Sequence, residues 1–386
     1  MQNYNDEIYL EYEEQESSKI KRYDIISYIV AKPIDSIIKW KQKGKLIIPD
    51  FQREFVWKFN TSCKLIDSIL LNLPIPGLFV CKRIIDGQEK YFLIDGLQRV
   101  TTIEQFFNGK YESLEHKEEK EFKICLKNSE WFNKTYYTIE ENDRQNFLDY
   151  DLSLTVFEIP EKNESKNLNS MYEIFERINT GSEKLTPQEI RNAIFPGEAL
   201  TEIKDVCQNN VSFKKLIAKD NSYNKRKKDQ ELLLRFLSYY YIYKLYKENK
   251  NTLFEESDIV ITTSKIETLN NFLFYSNSKK IIYKNYLQSI IEALDVISMF
   301  DEEAFYSISR EKNVVSNKVQ EVFSEALIIA LIENDFNIKI LKKDFIDKKI
   351  EIWNSEELYK KFTEKTTSKN AILDRVQFMI GILNND

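Results

Sequence analysis

The stretch Ile94-Asp95-Gly96-Leu97-Gln98-Arg99-Val100-Thr101-Thr102 decides how the first half of this chain is interpreted. Residues 90–94 before it (KYFLI) form an apolar and aromatic run that is typical of a β-strand. The apolar residues after it recur at helical spacing. The pattern therefore predicts a strand that ends at Asp95, a sharp turn at Gly96, and a helix directly after the glycine.

This junction places Gln98 and Arg99 in the first turn of the predicted helix. A helix N-terminus carries free N–H groups and a partial positive charge, and an arginine adds a full charge with a rigid set of donors. These groups fit a phosphate or another oxyanion. An ordinary strand–turn–helix junction with a surface arginine has the same pattern, so this stretch alone leaves both interpretations open.

The composition indicates a soluble globular protein with two domains. The chain has 386 residues, of which 42% are hydrophobic and 31% are charged. Only 8 glycines and 7 prolines are present, which favours long helices over an all-β fold. The net charge of −6 argues against non-specific coating of nucleic acid, although a local basic groove is compatible with it. The start of the chain does not resemble a signal peptide and no apolar run reaches membrane-spanning length, so we expect a cytoplasmic protein.

The cysteines and the histidine limit the kinds of catalytic and metal site that this chain can form. The four cysteines are far apart and contain no CxxC pair, which favours buried thiols in a reducing compartment over disulfides or a zinc site. His116 is the only histidine, and the charged run around it predicts a solvated loop or hairpin tip. These features exclude Ser-His-Asp, Cys-His and histidine-metal catalysis, and we expect no tightly bound zinc or iron.

The remaining pattern predicts an α+β fold, with a small mixed sheet and helices, followed by an all-α C-terminal domain. We place a flexible acidic arm at residues 1–22, the α+β domain at 23–195 and the helical domain at 196–386. Strands are predicted at residues 28–32, 46–48, 77–85, 90–94, 122–126 and 152–159. Helices are predicted at residues 34–40, 60–73, 97–107, 141–150, 171–179, 187–195, 229–248, 257–275, 281–299, 314–332 and 371–383.

Local sequence chemistry supports several of these boundaries. Asp35 is a plausible N-cap for the first helix. The dipeptide at 86–87 (DG) predicts a tight hairpin between two strands. Thr186 followed by Pro187 and Glu189 predicts a helix start with a capping box and proline in the first helical position.

Four motifs occur in order along the chain: FQREFVW at 51–57, DGLQR followed by TT at 95–102, FERINTG at 175–181, and KKDQELLLRF at 227–236. Together they resemble the N-terminal family of the GmrSD-type modification-dependent restriction systems, whose fold is related to ParB and sulfiredoxin. The resemblance covers roughly residues 25–236. The family pattern is usually written DGQQR, and here Leu97 stands at the first glutamine.

The resemblance implies a nucleotide-binding module that, in several members, hydrolyses a nucleoside triphosphate and couples the sensing of foreign DNA to a nuclease. It assigns catalytic roles to Asp95, Gln98 and Arg99. The predicted nucleotide-binding residues are Gln52, Arg53, Gly96, Thr101, Thr102, Arg177 and Asn179. It also implies Mg²⁺ with the nucleoside triphosphate, bound near Asp95.

The residue types agree with this chemistry. Two Gln-Arg pairs can clamp a triphosphate, because arginine makes bidentate contacts with phosphate oxygens. Asp95 can hold Mg²⁺ through water or orient an attacking water. Ordinary structural roles stay open as well: the aromatic residues of FQREFVW can pack in the core while Arg53 forms a surface salt bridge, and Glu176 and Asp229 can form salt bridges.

We therefore expect a regulatory NTPase or nucleotide-gated switch of a bacterial anti-phage or restriction-type system that acts with a separate effector protein. The histidine-metal nuclease domain of some family members is not expected in this chain. Two alternatives stay open, a ParB-like DNA nickase or nuclease and a non-catalytic DNA-binding adaptor. The basic run at 224–228 would serve the adaptor, or is a solvated lead-in to a helix. The helical domain can serve sensing, docking or oligomerisation, and no membrane partner is expected.

Overall fold

A computed structural model of the chain describes residues 25–48, 55–85, 87–113, 116–158, 174, 177–178, 186–223, 226–254 and 261–385. They divide into two compact units. The first, called the sheet unit, lies within Arg22–Leu185 together with Asn192–Ile194. The described residues of the second, called the helical unit, lie within Thr186–Arg191 and Phe195–Asp386. The predicted class, α+β followed by a helical region, is confirmed.

The sheet unit contains the following elements in chain order: β1 (Ile26–Pro33), α1 (Ile34–Gln42), β2 (Leu46–Ile47), α2 (Phe59–Leu70), β3 (Leu78–Ile85), β4 (Gln88–Asp95), α3 (Leu97–Phe107), β5 (Lys110–Ser113), β6 (His116–Glu121), α4 (Glu141–Asp149) and β7 (Asp151–Glu158). Five of the strands form one mixed sheet in the order β1-β7-β3-β4-β2, and β5 pairs with β6.

The centre of the sheet is formed by β3, which runs parallel to β7 and antiparallel to β4. The β3–β4 pair is the hairpin predicted at residues 86–87, and Gly87 takes a φ of 73° there. Val80, Leu93 and Leu154 from the three strands are fully buried. Apolar faces of the helices pack on the same core. The core thus holds the carboxyl end of β4, where the DGLQR motif begins, in a fixed position.

Two predictions in this unit are wrong in detail. Residues 122–126 do not form a strand, although Phe122 and Ile124 are fully buried as the alternating pattern indicated. Ile124 instead exchanges backbone hydrogen bonds with residues 133–134 of a neighbouring loop. Asp35 is not an N-cap, because α1 begins one residue earlier with Pro33 at the cap position.

The helical unit contains the following elements in chain order: α5 (Pro187–Ile194, of which the residues up to Arg191 belong to this unit), α6 (Glu198–Asn209), α7 (Val211–Ile217), α8 (Lys228–Lys247), α9 (Lys265–Asn277), α10 (Lys284–Phe300), β8 (Tyr306–Ser309), β9 (Val314–Val319), α11 (Glu321–Glu333), α12 (Lys342–Asn354), α13 (Glu356–Thr363) and α14 (Lys369–Asn384). The capping box of α5 is formed as predicted, with both hydrogen bonds between Thr186 and Glu189. In the part of the chain that the structure describes, no helix is both long enough and apolar enough to cross a membrane.

The helix predicted at residues 314–332 begins only at Glu321. Residues 314–319 form β9, which pairs antiparallel with β8 after a turn in which Asn313 has a φ of 50°. The valine-rich sequence of this segment favours a strand, because β-branched side chains pack well on a pleated surface. The helical C-terminal region therefore includes one hairpin. The helix predicted from residue 257 begins at Lys265, capped by Ser264, and residues 255–260 lie outside the described residues.

The fourth motif, KKDQELLLRF, supplies a buried ionic network inside the helical unit. Arg235 on α8 donates to Glu321 at 2.7 Å and to Glu325 at 3.2 Å; Arg235 and Glu325 are buried, and Glu321 is half-buried. One turn earlier, Glu231 accepts from Arg191 at 3.2 Å and from Lys265 at 3.1 Å. Burial opposes ionisation of Glu231, but these two cations lower its pKa to about 2. The charges of this motif thus join helices of the unit to one another.

Lys349 on α12 is a buried lysine with a testable pH signature. Lys349 is 1% exposed, and its ammonium group donates to the carbonyls of Glu303 and Ala304. Burial lowers the pKa of Lys349 to about 7, and the nearby Asp301 opposes that change only in part. Between pH 7 and the ordinary lysine pKa, the unfolded chain binds more protons than the folded chain. The free energy of unfolding therefore rises with pH through this window on account of Lys349.

We expect the variant Lys349→Met to lose this contribution. Relative to the wild type, its free energy of unfolding should be highest near pH 7 and should fall steadily as the pH approaches 10, as measured by urea denaturation across that range. The exposed Lys348→Met on the same helix is the matched control, since its side chain stays in water in both states. A wild-type-minus-variant difference that is constant from pH 7 to 10 would contradict the prediction.

Candidate functional site

The DGLQR motif forms the predicted strand–turn–helix junction in the sheet unit. β4 ends at Asp95, and Gly96 is the N-cap of α3 with a φ of 110°. A Cβ atom at position 96 would lie 2.3 Å from the Cδ2 atom of Leu78, a buried core residue. Both the backbone angle and the close approach therefore require glycine here.

Asp95 and Arg99 form an ion pair across this turn. Arg99 Nη2 donates to Asp95 Oδ2 at 2.5 Å, and the side chain of Asp95 is 45% exposed whereas that of Arg99 is 12% exposed. The guanidinium folds back over the turn, so that a Cβ on Gly96 would lie 3.4 Å from Arg99 Nη2. The N-cap residue, Gly96, has no side chain with which to cap the N-terminus of α3. The carboxylate thus holds the guanidinium beside a helix N-terminus, an arrangement suited to an oxyanion.

Gln98, for which the resemblance predicts a catalytic role, contacts the first motif of the chain. Its Oε1 atom accepts hydrogen bonds from the backbone N–H groups of Val56 at 3.0 Å and Trp57 at 3.1 Å. The carbonyl of Trp57 in turn accepts from the hydroxyl of Tyr111 at 2.7 Å. Val56 and Trp57 are the last residues of the FQREFVW motif. Gln98 therefore joins the first two motifs, and in the structure it is a positioning residue.

Aromatic packing reinforces this connection. The ring of Tyr111 contacts Phe55 and Phe59 edge to face, with centroids 5.8 Å and 4.7 Å apart. Phe55 and Phe59 flank the segment that Gln98 holds. The sequence did not single out Tyr111, because it lies in a charged and aromatic region without a recognisable motif. Only the tertiary contact identifies it as part of the site.

The two threonines after the motif differ in their surroundings. Thr101 is half-buried, whereas Thr102 is fully buried and its Oγ1 atom lies 3.4 Å from Ser62 Oγ on α2. Thr102 has no exposed surface, and its role in nucleotide binding stays a prediction. Leu97, at the position of the first family glutamine, is half-buried and packs against the hydrophobic core.

Most of the other predicted site residues lie outside the residues that the structure describes. Gln52, Arg53 and Asn179 lie outside the described residues, as does the rest of FERINTG except two helical positions. Arg177 is one of these positions and is exposed. Of the predicted set, the structure brings together Asp95, Gly96, Gln98 and Arg99.

Metal ligands are sparse in the described ranges. No group of three or more histidine, cysteine, aspartate or glutamate side chains is arranged there to hold a metal ion. Asp95 is a single exposed carboxylate. Such a group suits Mg²⁺ that is bound mainly by phosphate oxygens and water, because this ion commonly takes only one or two protein carboxylates.

The constraint on Gly96 leads to a stability prediction. Gly96→Ala should lower the free energy of unfolding of the sheet unit by roughly 2–4 kcal/mol, because the new methyl group combines a disfavoured φ with the contact on Leu78. Gly44→Ala is the matched control: Gly44 also has a positive φ, 63°, but open space around it, so roughly 1 kcal/mol is expected. Equal losses in chemical denaturation of the two variants would contradict the clash.

The positioning role of Gln98 leads to a second prediction. Gln98→Ala removes the acceptor of two backbone N–H groups, so amide hydrogen exchange at Val56 and Trp57 should become roughly 5- to 100-fold faster. Gln98→Glu keeps an acceptor oxygen at the same place and should preserve most of the protection. Unchanged exchange in the alanine variant would show that the aromatic contacts alone hold the segment.

Comparison with known families agrees with the motif analysis. Residues 34–196 match the family model described as GmrSD restriction endonuclease, N-terminal domain. The match spans the first three motifs, and the fourth lies beyond it. Comparison of the chain with curated proteins found no match. The family predicted from the motifs is therefore confirmed over residues 34–196, which match the N-terminal domain of GmrSD restriction endonucleases.

Proposed function

We propose that this protein is a nucleotide-binding regulatory component of a restriction-type defence system and hydrolyses the nucleoside triphosphate that it binds. The observation that carries the proposal is the Asp95–Arg99 pair at the N-terminus of α3, where the N-cap residue is a glycine. The match of residues 34–196 to a restriction-endonuclease domain supplies the biological setting.

The arginine has the properties of a phosphate ligand. Because Arg99 is held by Asp95 and largely covered, little side-chain freedom is lost when it binds an anion. Its planar guanidinium can bond two phosphate oxygens at once, and the dipole of α3 adds a favourable field. In the proposal, the phosphate chain lies over the turn at Gly96.

Gln98 organises the second half of the proposed clamp. Arg53 precedes Val56 by three residues in the sequence, and Val56 is held by Gln98. We assign the two Gln-Arg pairs to the same triphosphate, with Arg53 and Arg99 on its oxygens. Thr101 and Arg177 are retained as outer members of the site.

We propose that Mg²⁺ accompanies the nucleotide and is held on the protein side by Asp95. When bound, Mg²⁺ neutralises charge on the phosphate oxygens. Asp95 has an exposed carboxylate for this purpose while it also holds Arg99. In hydrolysis, the same carboxylate would orient the attacking water.

The restriction setting suggests DNA and an effector protein as further partners. We propose that nucleotide binding in the sheet unit controls a separate effector and that the helical unit serves docking, sensing or assembly. The two alternatives, a DNA nickase or nuclease and a non-catalytic adaptor, are outcomes of the experiments below.

Arg99→Ala should weaken binding of the preferred nucleoside triphosphate by roughly 10- to 150-fold, since a charged hydrogen bond contributes about 1.5–3 kcal/mol. Arg53→Ala should have a similar effect, and the double variant should lose less than the sum because both arginines act on one ligand. Calorimetric titration of each nucleoside triphosphate with Mg²⁺ measures this. Arg144→Ala is the matched control, because Arg144 is a partly exposed arginine of the same unit paired with a neighbouring glutamate.

The outcomes separate the three functions. Undiminished affinity in Arg99→Ala would place the pocket elsewhere. A wild type that binds no nucleoside triphosphate would favour the adaptor, and nicking of plasmid DNA without nucleotide would favour the nuclease.

Leu97→Gln should raise hydrolysis with little change in binding if the absent glutamine limits turnover. Thermal melts accompany it, because Leu97 packs on the core.

A further inference from the structure

Two cysteines that are distant in sequence lie against each other in the sheet unit. The backbone N–H of Cys125 donates to Cys63 Sγ at 3.2 Å, across a separation of 62 residues. The thiol of Cys63 donates to the carbonyl of Lys123 at 3.7 Å. The thiol of Cys125 donates to Asn60 Oδ1 at 3.8 Å, and Asn60 lies one turn before Cys63 on α2.

The two sulfur atoms are within reach of a covalent bond. Cys63 Sγ already contacts the backbone nitrogen of Cys125, and the Sγ atom of Cys125 is only three bonds from that nitrogen. A change in the rotamer of the Cys125 side chain can therefore bring its sulfur to Cys63, where an S–S bond of about 2.05 Å would form. Burial, and next a hydrogen bond with the Cys125 side chain, raise the pKa of the Cys63 thiol, which is further evidence of contact between the two side chains.

We propose that Cys63 and Cys125 form a reversible disulfide when the protein meets a peroxide. Cys125 is half-buried and accessible to a small oxidant, whereas Cys63 is fully buried beside it. The half-buried thiol reacts first and the buried thiol then resolves the product. This pairing does not depend on the proposed nucleotide function.

The chemistry balances with hydrogen peroxide as the oxidant. The sulfur of Cys125 attacks one peroxide oxygen, the O–O bond breaks, and a sulfenic acid and one water form. The sulfur of Cys63 then attacks the sulfenic sulfur, and the hydroxyl group leaves with the Cys63 proton as a second water. Two thiols are oxidised by two electrons, and one peroxide is reduced to two waters.

The location gives the disulfide a structural consequence. It would connect α2 to the segment 122–126 and enclose the DGLQR motif in a covalent loop. α2 begins two residues after Trp57, whose N–H is held by Gln98. The bond would restrain the helix that leads out of the candidate site and would restrict the unfolded chain, so the melting temperature of the oxidised protein should rise.

The test uses the full chain, reduced and then exposed to increasing hydrogen peroxide. After remaining thiols are blocked with N-ethylmaleimide, trypsin should release FNTSCK (59–64) and ICLK (124–127) as one linked species in mass spectra. Two of the four thiols should be lost, and dithiothreitol should restore them. The linked species should persist in Cys81→Ser and Cys207→Ser, which remove the other buried thiols, and should be absent from Cys125→Ser.

Three results would overturn the proposal. The first is oxidation of Cys125 to the sulfinic acid without a linked peptide. The second is a bond formed mainly with Cys81 or Cys207. The third is survival of all four thiols in peroxide that oxidises free cysteine. Cys125→Ser is the primary variant, because Cys125 is only half-buried. Cys63→Ala is the second variant, because alanine adds no polar group at the buried position 63, and a thermal melt checks that it folds. The peptide readout is separate from nucleotide titration, so failure of either proposal is distinguishable from failure of the other.

Discussion

The left-handed turn at Gly96 is the constraint on which the candidate site depends. With a φ of 110° and no room for a side chain beside Leu78, the chain passes from the end of β4 into α3 without an intervening loop. A longer connection would let Asp95 and Arg99 diverge. The short turn instead places them four residues apart on either side of the helix start, close enough for a 2.5 Å contact. The chemistry at this position is therefore a consequence of backbone geometry.

The side chain of Gln98 connects this turn to the FQREFVW motif. Gln98 is fixed by the same helix start and accepts two backbone hydrogen bonds from Val56 and Trp57. Tyr111 completes the connection at the carbonyl of Trp57 and packs its ring against the flanking phenylalanines. A half-buried amide that satisfies two backbone donors orders a segment that lacks secondary structure of its own. Positioning and the proposed anion binding thus use adjacent residues of one motif.

The helical unit is organised by a different kind of interaction. Arg235 and Glu231 on α8 connect α5, α9 and α11 through charges that are buried or nearly so. Such networks are costly to bury and are satisfied only in one arrangement of the helices, which can favour a unique packing. The motif at 227–236 supported the family assignment, yet the charges described here act within the helical unit.

Local sequence chemistry by itself determined the strand–turn–helix at Asp95–Arg99, the β3–β4 hairpin, the Thr186 capping box and the division into an α+β part and a helical part. Each depends on neighbours in the chain: glycine at a positive φ, apolar periodicity, or a cap and its third following residue. The alternation at residues 122–126 correctly indicated burial but not a strand, because pairing needs a partner that the pattern does not specify. Likewise residues 314–319 were predicted as helix; their valines favour a strand, but the partner strand β8 is not specified by the local pattern.

Tertiary structure alone decided which polar residues act together. Gln98 contacts residues 41 and 42 positions away in the chain, Thr102 faces Ser62 inside the unit, and Cys63 meets Cys125 across 62 residues. No local pattern encodes such contacts, because they follow from the packing of α2 and α3 on the sheet. The residue types of the proposed anion site were visible in the sequence, whereas their positioning partners and the cysteine pair became visible only in the folded structure.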